Sequence, residues 1–551
     1  MEQLYKRFVK ETFDAEGRLS KFEIFPPKNF NFGFDVVDAL ADKCPEKVGL
    51  YWVSKAHEKK TFTFSELRDL TNRTANYFRR LGIRKGDKVM LVLKRHYQFW
   101  LSIVALHKLG AVVIPATDQL QRKDYVFRFQ AAHVKAVVCT AEGETTAHVL
   151  SALSECPTVK ILSCVNGVCE GFDNFDEGIK RESADFARPT GAEGTTIDDV
   201  MLMYFTSGTT GYPKMAAHNF AYPLGHIVTA KYWHNVDPDG RHLSVADTGW
   251  GKAVWGKLYG QWLCEACVFV YDMERFHADD LLSVISTHKV TTFCAPPTIY
   301  RFFIKEDLSK YDLSSIKYAT TAGEALNPEV YNKFREITGL RLFEGFGQTE
   351  TTLVLATLTG TEPKPGSMGK PNPQFDVDLV DENGKTVQPG DVGEIVIHTD
   401  KRVPVGLFKE YYENPEKTAE SWHDGIYHTG DTAWRDEDGY FWYVGRTDDI
   451  IKSSGYRIGP FEIESVIMEH PSVLEVAVTG VPDPIRGQAI KATIVLARGY
   501  APSEELKKEI QTFVKNATAP YKYPRVVEFV EELPKTISGK IRRVEIRKEK
   551  K

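Results

Sequence analysis

The pattern of apolar and polar positions changes character twice along this chain. In the first part, apolar residues recur at Leu67, Leu70, Ala75, Phe78 and Leu81, the spacing of one helical face, and Gly82 is placed to end it. Lys88 to Leu93 predicts a strand, Gln98 to Leu109 a helix closed by Gly110, and Ala111 to Ala116 the next strand; Leu120 to Ala131 and Ala136 to Cys139 repeat the pair. Strand-like runs at Ala266 to Val270, Val290 to Ala295 and Ile316 to Ala322 alternate in the same way with helical patterns at Asp279 to Thr287 and Pro328 to Thr338. Such alternation predicts mainly parallel sheets with helices on both faces, hence an α/β fold of two doubly wound units, the second from about Val200 to Gly339. The polar stretch from Thr140 to Asp199 is expected as surface and connecting structure.

The first change follows Glu344. Glycine and proline become dense from Lys364 to Pro373 and from Gln388 to Gly393, between short runs such as Asp376 to Val380 and Glu394 to His398. That punctuation predicts a small antiparallel β-barrel from about residue 345. The second change comes at Asp448, beyond which lysine and arginine outnumber acids by three although the whole chain nets −5. Pro460 suits the first turn of a helix, Ser503 with Glu504 and Glu505 suits the start of another, and Val473 to Thr479 and Ala489 to Leu496 supply strands. The expected organisation is a large N-terminal domain over residues 1–447 and a separate α+β domain over residues 448–551.

Composition narrows the function classes. With 42% hydrophobic and 26% charged residues the chain is ordinary for a soluble globular protein, and its net charge gives no footprint for nucleic acid. The longest apolar stretch, Phe99 to Ala116, is interrupted by His107 and Lys108, so no membrane insertion is expected. The opening residues, MEQLYKRFVKETFDAEG, carry acids and no apolar core of a signal peptide, which predicts a cytoplasmic location. Eight sparse cysteines fit a reducing compartment, and Cys264-x-x-Cys267, flanked by Leu263, Ala266 and Val268, is expected to serve as small hydrophobes.

Candidate chemistry starts where the apolar run Val200 to Phe205 breaks into Thr206, Ser207, Gly208, Thr209, Thr210, Gly211, Tyr212, Pro213 and Lys214. Glycines without Cβ let backbone N–H groups close around a polyanion, hydroxyls add donors, and Lys214 brings charge to the rim. The spacing is not that of a P-loop NTPase, because Gly208 and Gly211 are only three apart. Four further segments carry polar chemistry: Gly345-Phe346-Gly347-Gln348-Thr349-Glu350, Tyr427-His428-Thr429-Gly430-Asp431, Gly445-Arg446-Thr447-Asp448-Asp449 with Lys452-Ser453-Ser454-Gly455-Tyr456-Arg457, and Pro534-Lys535-Thr536-Ile537-Ser538-Gly539-Lys540. Each alone reads equally as a turn, a linker or a basic tail.

Together and in this order they resemble the adenylate-forming superfamily of acyl-CoA and aryl-CoA synthetases, luciferases and peptide-synthetase adenylation domains, over essentially the whole chain and most of all its medium-chain acyl-CoA synthetases. The resemblance implies that Thr206, Ser207, Gly208, Thr209, Thr210, Gly211 and Lys214 hold the ATP β- and γ-phosphates. It implies that Thr349 contacts phosphate and that Glu350 helps bind Mg²⁺. Gly323, Glu324 and Ala325 would border the adenine with Gly345, Phe346 and Gly347; Asp431 and Arg446 would take the ribose, and Arg457 a phosphate. Asp448 matches the hinge of a mobile C-terminal domain, Gly455 the passage for the pantetheine arm of CoA, and Lys540 the catalytic lysine of the first half-reaction.

The implied activity is ATP-dependent acyl-CoA synthesis from a medium-chain, branched or aryl carboxylic acid through an acyl-adenylate, releasing AMP and pyrophosphate. An adenylating enzyme that loads a carrier protein, or a non-catalytic nucleotide-binding homologue, are the alternatives at this point. Acetyl-CoA synthetases place a tryptophan before Gln-Thr-Glu where this chain has Gly347, so Gly347 is expected to open the acyl pocket, with Trp250, Trp255 and Cys294 shaping its far wall. His218 is expected to be structural, because a carboxylate substrate is already ionised and needs no base.

Overall fold

The computed structural model describes residues 2–206, 213–454, 456–519, 521–535 and 540–548, with backbone alone at Arg457 and Lys548. The predicted alternation forms, and the helices end where the sequence marks them. Phe64–Arg80 starts at Thr63, whose side chain accepts from the Glu66 amide while Glu66 reaches back to the Thr63 amide. Gln98–Leu109 and Pro328–Thr338 stop at Gly110 and Gly339, both left-handed, at φ 74° and 73°.

The strands divide between two mixed sheets in an order that sequence position does not reveal. One has eight strands, running Glu410–Tyr411, Lys214–Asn219, Val200–Thr206, Val112–Pro115, Lys88–Val92, Ala136–Thr140, Ile161–Val165 and Asp173–Asn174. The other has nine, running Lys370–Pro371, Leu353–Ala356, Leu342–Gly347, Tyr318–Thr321, Thr292–Ala295, Arg241–Ser244, Cys267–Asp272, Val48–Ser54 and Lys59–Thr63. Val200–Thr206 therefore belongs with the first unit, through Leu202 opposite Val113, and not with a second unit starting at Val200. Val48–Ser54 crosses the other way to pair with Cys267–Asp272. The stretch from Thr140 to Asp199 is not mere connection either, since Ile161–Val165 extends the first sheet beside Ala136–Thr140. Its polar Ser163 is buried against the Tyr77 hydroxyl at 2.8 Å, which is why polarity concealed a strand.

The two sheets share a core. Val89, Val113 and Leu202 of the first meet Val268 and Cys294 of the second around Trp100 and Val104 of Gln98–Leu109. His107 and Lys108 are buried within that helix: His107 Nε2 bonds the Tyr259 hydroxyl at 2.8 Å, and Lys108 Nζ donates to Asp38 and Asn72 at 2.6 Å each. Among the described residues no helix is long and apolar enough to cross a membrane.

The antiparallel unit starts later than expected. Leu342–Gly347 pairs antiparallel with Leu353–Ala356 and still belongs to the nine-stranded sheet, so the separate small sheet begins at Asp376–Val380. It continues through Val392–His398 and Ile426–Arg435 to Trp422–His423 and Phe441–Arg446, and among the described strands the ladder stays open. Asp431 lies inside the strand Ile426–Arg435 and not at a turn. The last sheet pairs Val473–Asp483 with Gly487–Leu496 and adds Val526–Val530 in parallel. The helices Pro460–Met468 and Glu504–Ala517 pack on it, the second capped by Ser503 accepting from the Leu506 amide at 3.0 Å.

Candidate active site

The strands Val200–Thr206 and Lys214–Asn219 form an antiparallel hairpin in which Thr206 stands opposite Lys214. Of the glycine- and hydroxyl-rich segment between these strands, Ser207, Gly208, Thr209, Thr210 and Gly211 lie outside the described residues. Lys214 Nζ sits 5.0 Å over the Tyr411 ring. Burial and the nearby Lys417 lower its pKa, and Glu350 opposes them. Glu350 accepts from the Tyr411 hydroxyl at 2.8 Å, so Tyr411 links the lysine and the carboxylate. The Thr349 carbonyl accepts from His218 Nε2 at 2.8 Å, and burial lowers the His218 pKa to about 4, so the ring is neutral and structural as expected.

Asp431 is the buried centre of a second group. Its Oδ1 accepts from the Tyr443 hydroxyl at 3.1 Å, and Oδ2 from Arg446 at 3.3 Å and from the Gln348 side chain. Register sets the pair, since Asp431 and Arg446 face each other across Ile426–Arg435 and Phe441–Arg446. Gly430, at φ 69°, lets the guanidinium in, because a Cβ there would stand 2.6 Å from an Arg446 nitrogen. Burial raises the Asp431 pKa, against Arg446, Gln348, Tyr443 and Lys540. Gln348 is locked by donating to the Thr429 carbonyl at 2.7 Å and accepting from Tyr427 at 2.8 Å. Gln348 carries no role legible from its sequence beyond its place between Gly347 and Thr349.

The half-buried Lys252 was missed altogether. It begins the short helix Lys252–Gly256, and its ammonium donates to the Ala322 carbonyl beside Gly323, whose φ is 103°. Among the described residues it has no carboxylate partner, while burial and the charge of Lys540 lower its pKa. The charge of Lys540 thus acts on both Asp431 and Lys252. Gly251 faces the Thr349 side chain, with a Cβ position 3.6 Å from it. The expected adenine border lies on the same side: Gly323 and Glu324 are exposed, Ala325 is half-buried, and Glu324 accepts from Thr298 at 3.0 Å. Phe346 packs towards Tyr443, ring centroids 6.5 Å apart. Gly455 lies outside the described residues, and Arg457 is described only as backbone opposite Lys452. Asp448 is exposed, its carboxylate 3.8 Å from Arg446.

The expectation for Gly347 is overturned. A Cβ there would stand 2.3 Å from Trp255 Cη2 and 2.5 Å from the Thr352 carbonyl oxygen, so the space freed by the missing side chain is filled by Trp255. Trp255 follows Lys252 by three residues, on the same face of the turn. Lys252 therefore reaches Gly323 while Trp255 reaches Gly347. Trp250 is half-buried on the approach to this helix, and Cys294 is buried.

The description of AMP-binding enzymes matches residues 37–412, and that of the AMP-binding enzyme C-terminal domain matches residues 462–540. The chain belongs to the AMP-binding enzyme family. The mouse acyl-coenzyme A synthetase ACSM3, mitochondrial, is 42% identical over 100% of this chain and 96% of its own length. Human ACSM4, also named mitochondrial, is 43% identical over 98% of this chain and 93% of its own. Among solved structures, the anthranilate CoA ligase AuaEII in complex with anthranoyl-AMP superposes with a TM-score of 0.85 at 28% identity, covering 95% of this chain and 97% of that one.

In this AMP-binding enzyme the donor set fits Mg²⁺ held with a nucleotide. Among the described residues no group of three or more His, Cys, Asp or Glu could cage a metal, and Mg²⁺ is typically held by one or two carboxylates plus substrate phosphates. Glu350, beside Lys214 at the hairpin mouth, is the carboxylate available for that.

Glu344, just before the Gly345 segment, gives the enzyme a pH signature. Burial pushes its carboxyl up to about 8, although the Leu326 amide donates to Oε1 at 3.2 Å. The folded state keeps the proton up to that pH, whereas the unfolded chain releases it near the ordinary 4.5. Between those values the unfolded state binds fewer protons, so this group's contribution to stability falls as pH rises. Melting of wild type and Glu344→Gln between pH 5 and 8 should show the wild type losing stability relative to the variant; parallel curves would refute it.

Proposed function

We propose that this chain is an ATP-dependent acyl-CoA synthetase in which the Asp431–Gln348–Arg446 group, the Thr206–Lys214 hairpin and Lys540 converge on one bound nucleotide. The observation that carries the proposal is that Gln348 and Arg446 meet on Asp431 from separate segments, within reach of the charge of Lys540, which also acts on Lys252. The acid's carboxylate oxygen attacks the ATP α-phosphorus, forming an acyl–phosphate bond and expelling pyrophosphate. The CoA thiol then attacks the acyl carbon, and AMP leaves. No protein nucleophile is required, so the side chains act by positioning and charge.

Asp431 accepts the ribose hydroxyls, and Arg446 holds that carboxylate in register. Thr206, Lys214 and the residues between them hold the β- and γ-phosphates. Glu350 would hold Mg²⁺, which would supply charge neutralisation at the phosphates. Lys252 and Lys540 face the reacting anions, Lys252 from the fixed wall and Lys540 from the C-terminal segment. We place the turn between the two steps at Asp448, the start of a mobile domain spanning residues 448–551, with CoA entering past Gly455. The acyl chain lies beyond Lys252 against Trp255. The full-length likeness to proteins named acyl-coenzyme A synthetases supports free CoA as the acceptor over a carrier protein.

The acid is of medium length, branched or aryl, and Trp255 sets the limit. Trp255→Leu should move the preference towards longer acids, each added buried CH₂ being worth about 0.8 kcal/mol, roughly fourfold in kcat/KM. A chain-length profile from butyrate to dodecanoate checks this; an unchanged profile contradicts the assignment. A cytoplasmic placement stands against relatives named mitochondrial, and subcellular fractionation of the native protein decides between them. The proposal as a whole is tested by adding ATP, Mg²⁺ and a panel of carboxylates, with and without CoA, and measuring AMP.

A further inference from the structure

The helix that follows Lys540 is tied to the point where the C-terminal segment begins. Arg543 and Arg547 lie four residues apart on Arg543–Lys548 and so share a face. Arg543 donates to both oxygens of Glu464, at 2.7 and 2.8 Å, and lies 3.5 Å from Asp449 Oδ2. Arg547 pairs with Asp449 Oδ1 and donates to the Asp448 carbonyl at 3.0 Å. Glu464 also accepts from the Val478 amide at 2.8 Å, which anchors the group to the central sheet of this region. Asp449 and Glu464 are largely buried, with side chains 7% and 11% exposed.

Both flanks of Lys540 are fixed as well. Ile546 is buried in a cluster with Ala477, Val495 and Leu533. Before the lysine, Lys535 bridges to Ile541 and the Arg542 amide donates to the Pro534 carbonyl at 2.8 Å. At the other end, the Asp449 amide donates to the carbonyl of Arg446 at 3.0 Å, and Arg446 is the partner of Asp431. A continuous set of contacts thus runs from Asp431 through Arg446 and Asp449 to the helix that Lys540 precedes.

We infer that Arg543 and Arg547 are positioning residues for Lys540, fastening its segment to Asp449 so that the lysine and the start of the C-terminal domain move as one body. The inference rests on the proposed role of Lys540 in adenylation. Two arginines balance two buried carboxylates, so removing one partner outright would strand a charge. Conservative changes are the appropriate probes: Arg547→Gln, at the more exposed arginine, and, separately, Asp449→Asn.

Each should lower carboxylate-dependent pyrophosphate release about tenfold or more, because small misplacements of a catalytic group are costly. Thioester formation from a supplied acyl-adenylate should stay within about twofold. In the Lys540→Ala background neither change should lower adenylation further, since the residue being positioned is gone. Equal loss in both half-reactions, or losses that add to Lys540→Ala, would mean a merely structural role and overturn the inference. Adenylation lost in Lys540→Ala but intact in Arg547→Gln and Asp449→Asn overturns it alone. Adenylation that survives Lys540→Ala overturns the parent assignment and this one with it.

Discussion

Lys540→Ala is expected to lower pyrophosphate release by two to three orders of magnitude while leaving thioester formation from a supplied acyl-adenylate largely intact. The lysine adds its charge to a site that already holds Lys252, Lys214 and Arg446, and it is placed there by the C-terminal segment. Removing one preorganised donor to developing charge costs about 3–4 kcal/mol in the step that uses it. In the proposed mechanism the second step has no need of it once the domain has turned at Asp448. Separate assays of the two half-reactions check this, and equal loss in both would show that Lys540 acts through the fold and not on the nucleotide.

Lys252→Met should have an effect of similar size and an opposite signature in stability. Lys252 is half-buried, its ammonium donates to the Ala322 carbonyl, and it forms no ion pair with a carboxylate among the described residues, although the charge of Glu324 acts on it. Keeping a cation in that environment opposes folding, and the arrangement makes sense only when an anion arrives beside it. The variant is expected to lose adenylation by about 10²–10³-fold, yet to melt no lower than wild type. Acyl-adenylate binding separates the two anions it could face: weaker binding of a non-hydrolysable acyl-AMP analogue, with AMP binding unchanged, assigns Lys252 to the acyl side. A variant with full activity, or one that simply unfolds, contradicts the role.

Much of the architecture was legible because its signals are local. Periodicity and glycine stops marked Gln98–Leu109 and Pro328–Thr338, and Ser503 and Pro460 marked helix starts near the C-terminus. Sheet membership was not legible, because it is decided by pairing at a distance: Val200–Thr206 joins Val112–Pro115, and Val48–Ser54 joins Cys267–Asp272. Ile161–Val165 was hidden because its serine finds a buried partner in Tyr77.

The site divides in the same way. Asp431, Arg446, Glu350 and Lys540 sit in recognisable segments, and the structure brings them together. Lys252 has no motif around it and stands out only once its bond to the Ala322 carbonyl and the opposing charges of Lys540 and Glu324 are seen. Gly347 misled because a missing side chain says nothing about what fills the space, and here Trp255 fills it.

The central claim is that one site performs adenylation and then transfer to CoA. The direct measurement is a single-turnover experiment with enzyme in excess over a radiolabelled medium-chain acid, ATP and Mg²⁺, with CoA added only after a delay. Pyrophosphate release and a bound acyl-adenylate are expected before CoA is added, followed by conversion of that species into acyl-CoA and AMP. Acyl-CoA formed without a prior adenylate, or ADP and phosphate in place of AMP and pyrophosphate, would contradict it.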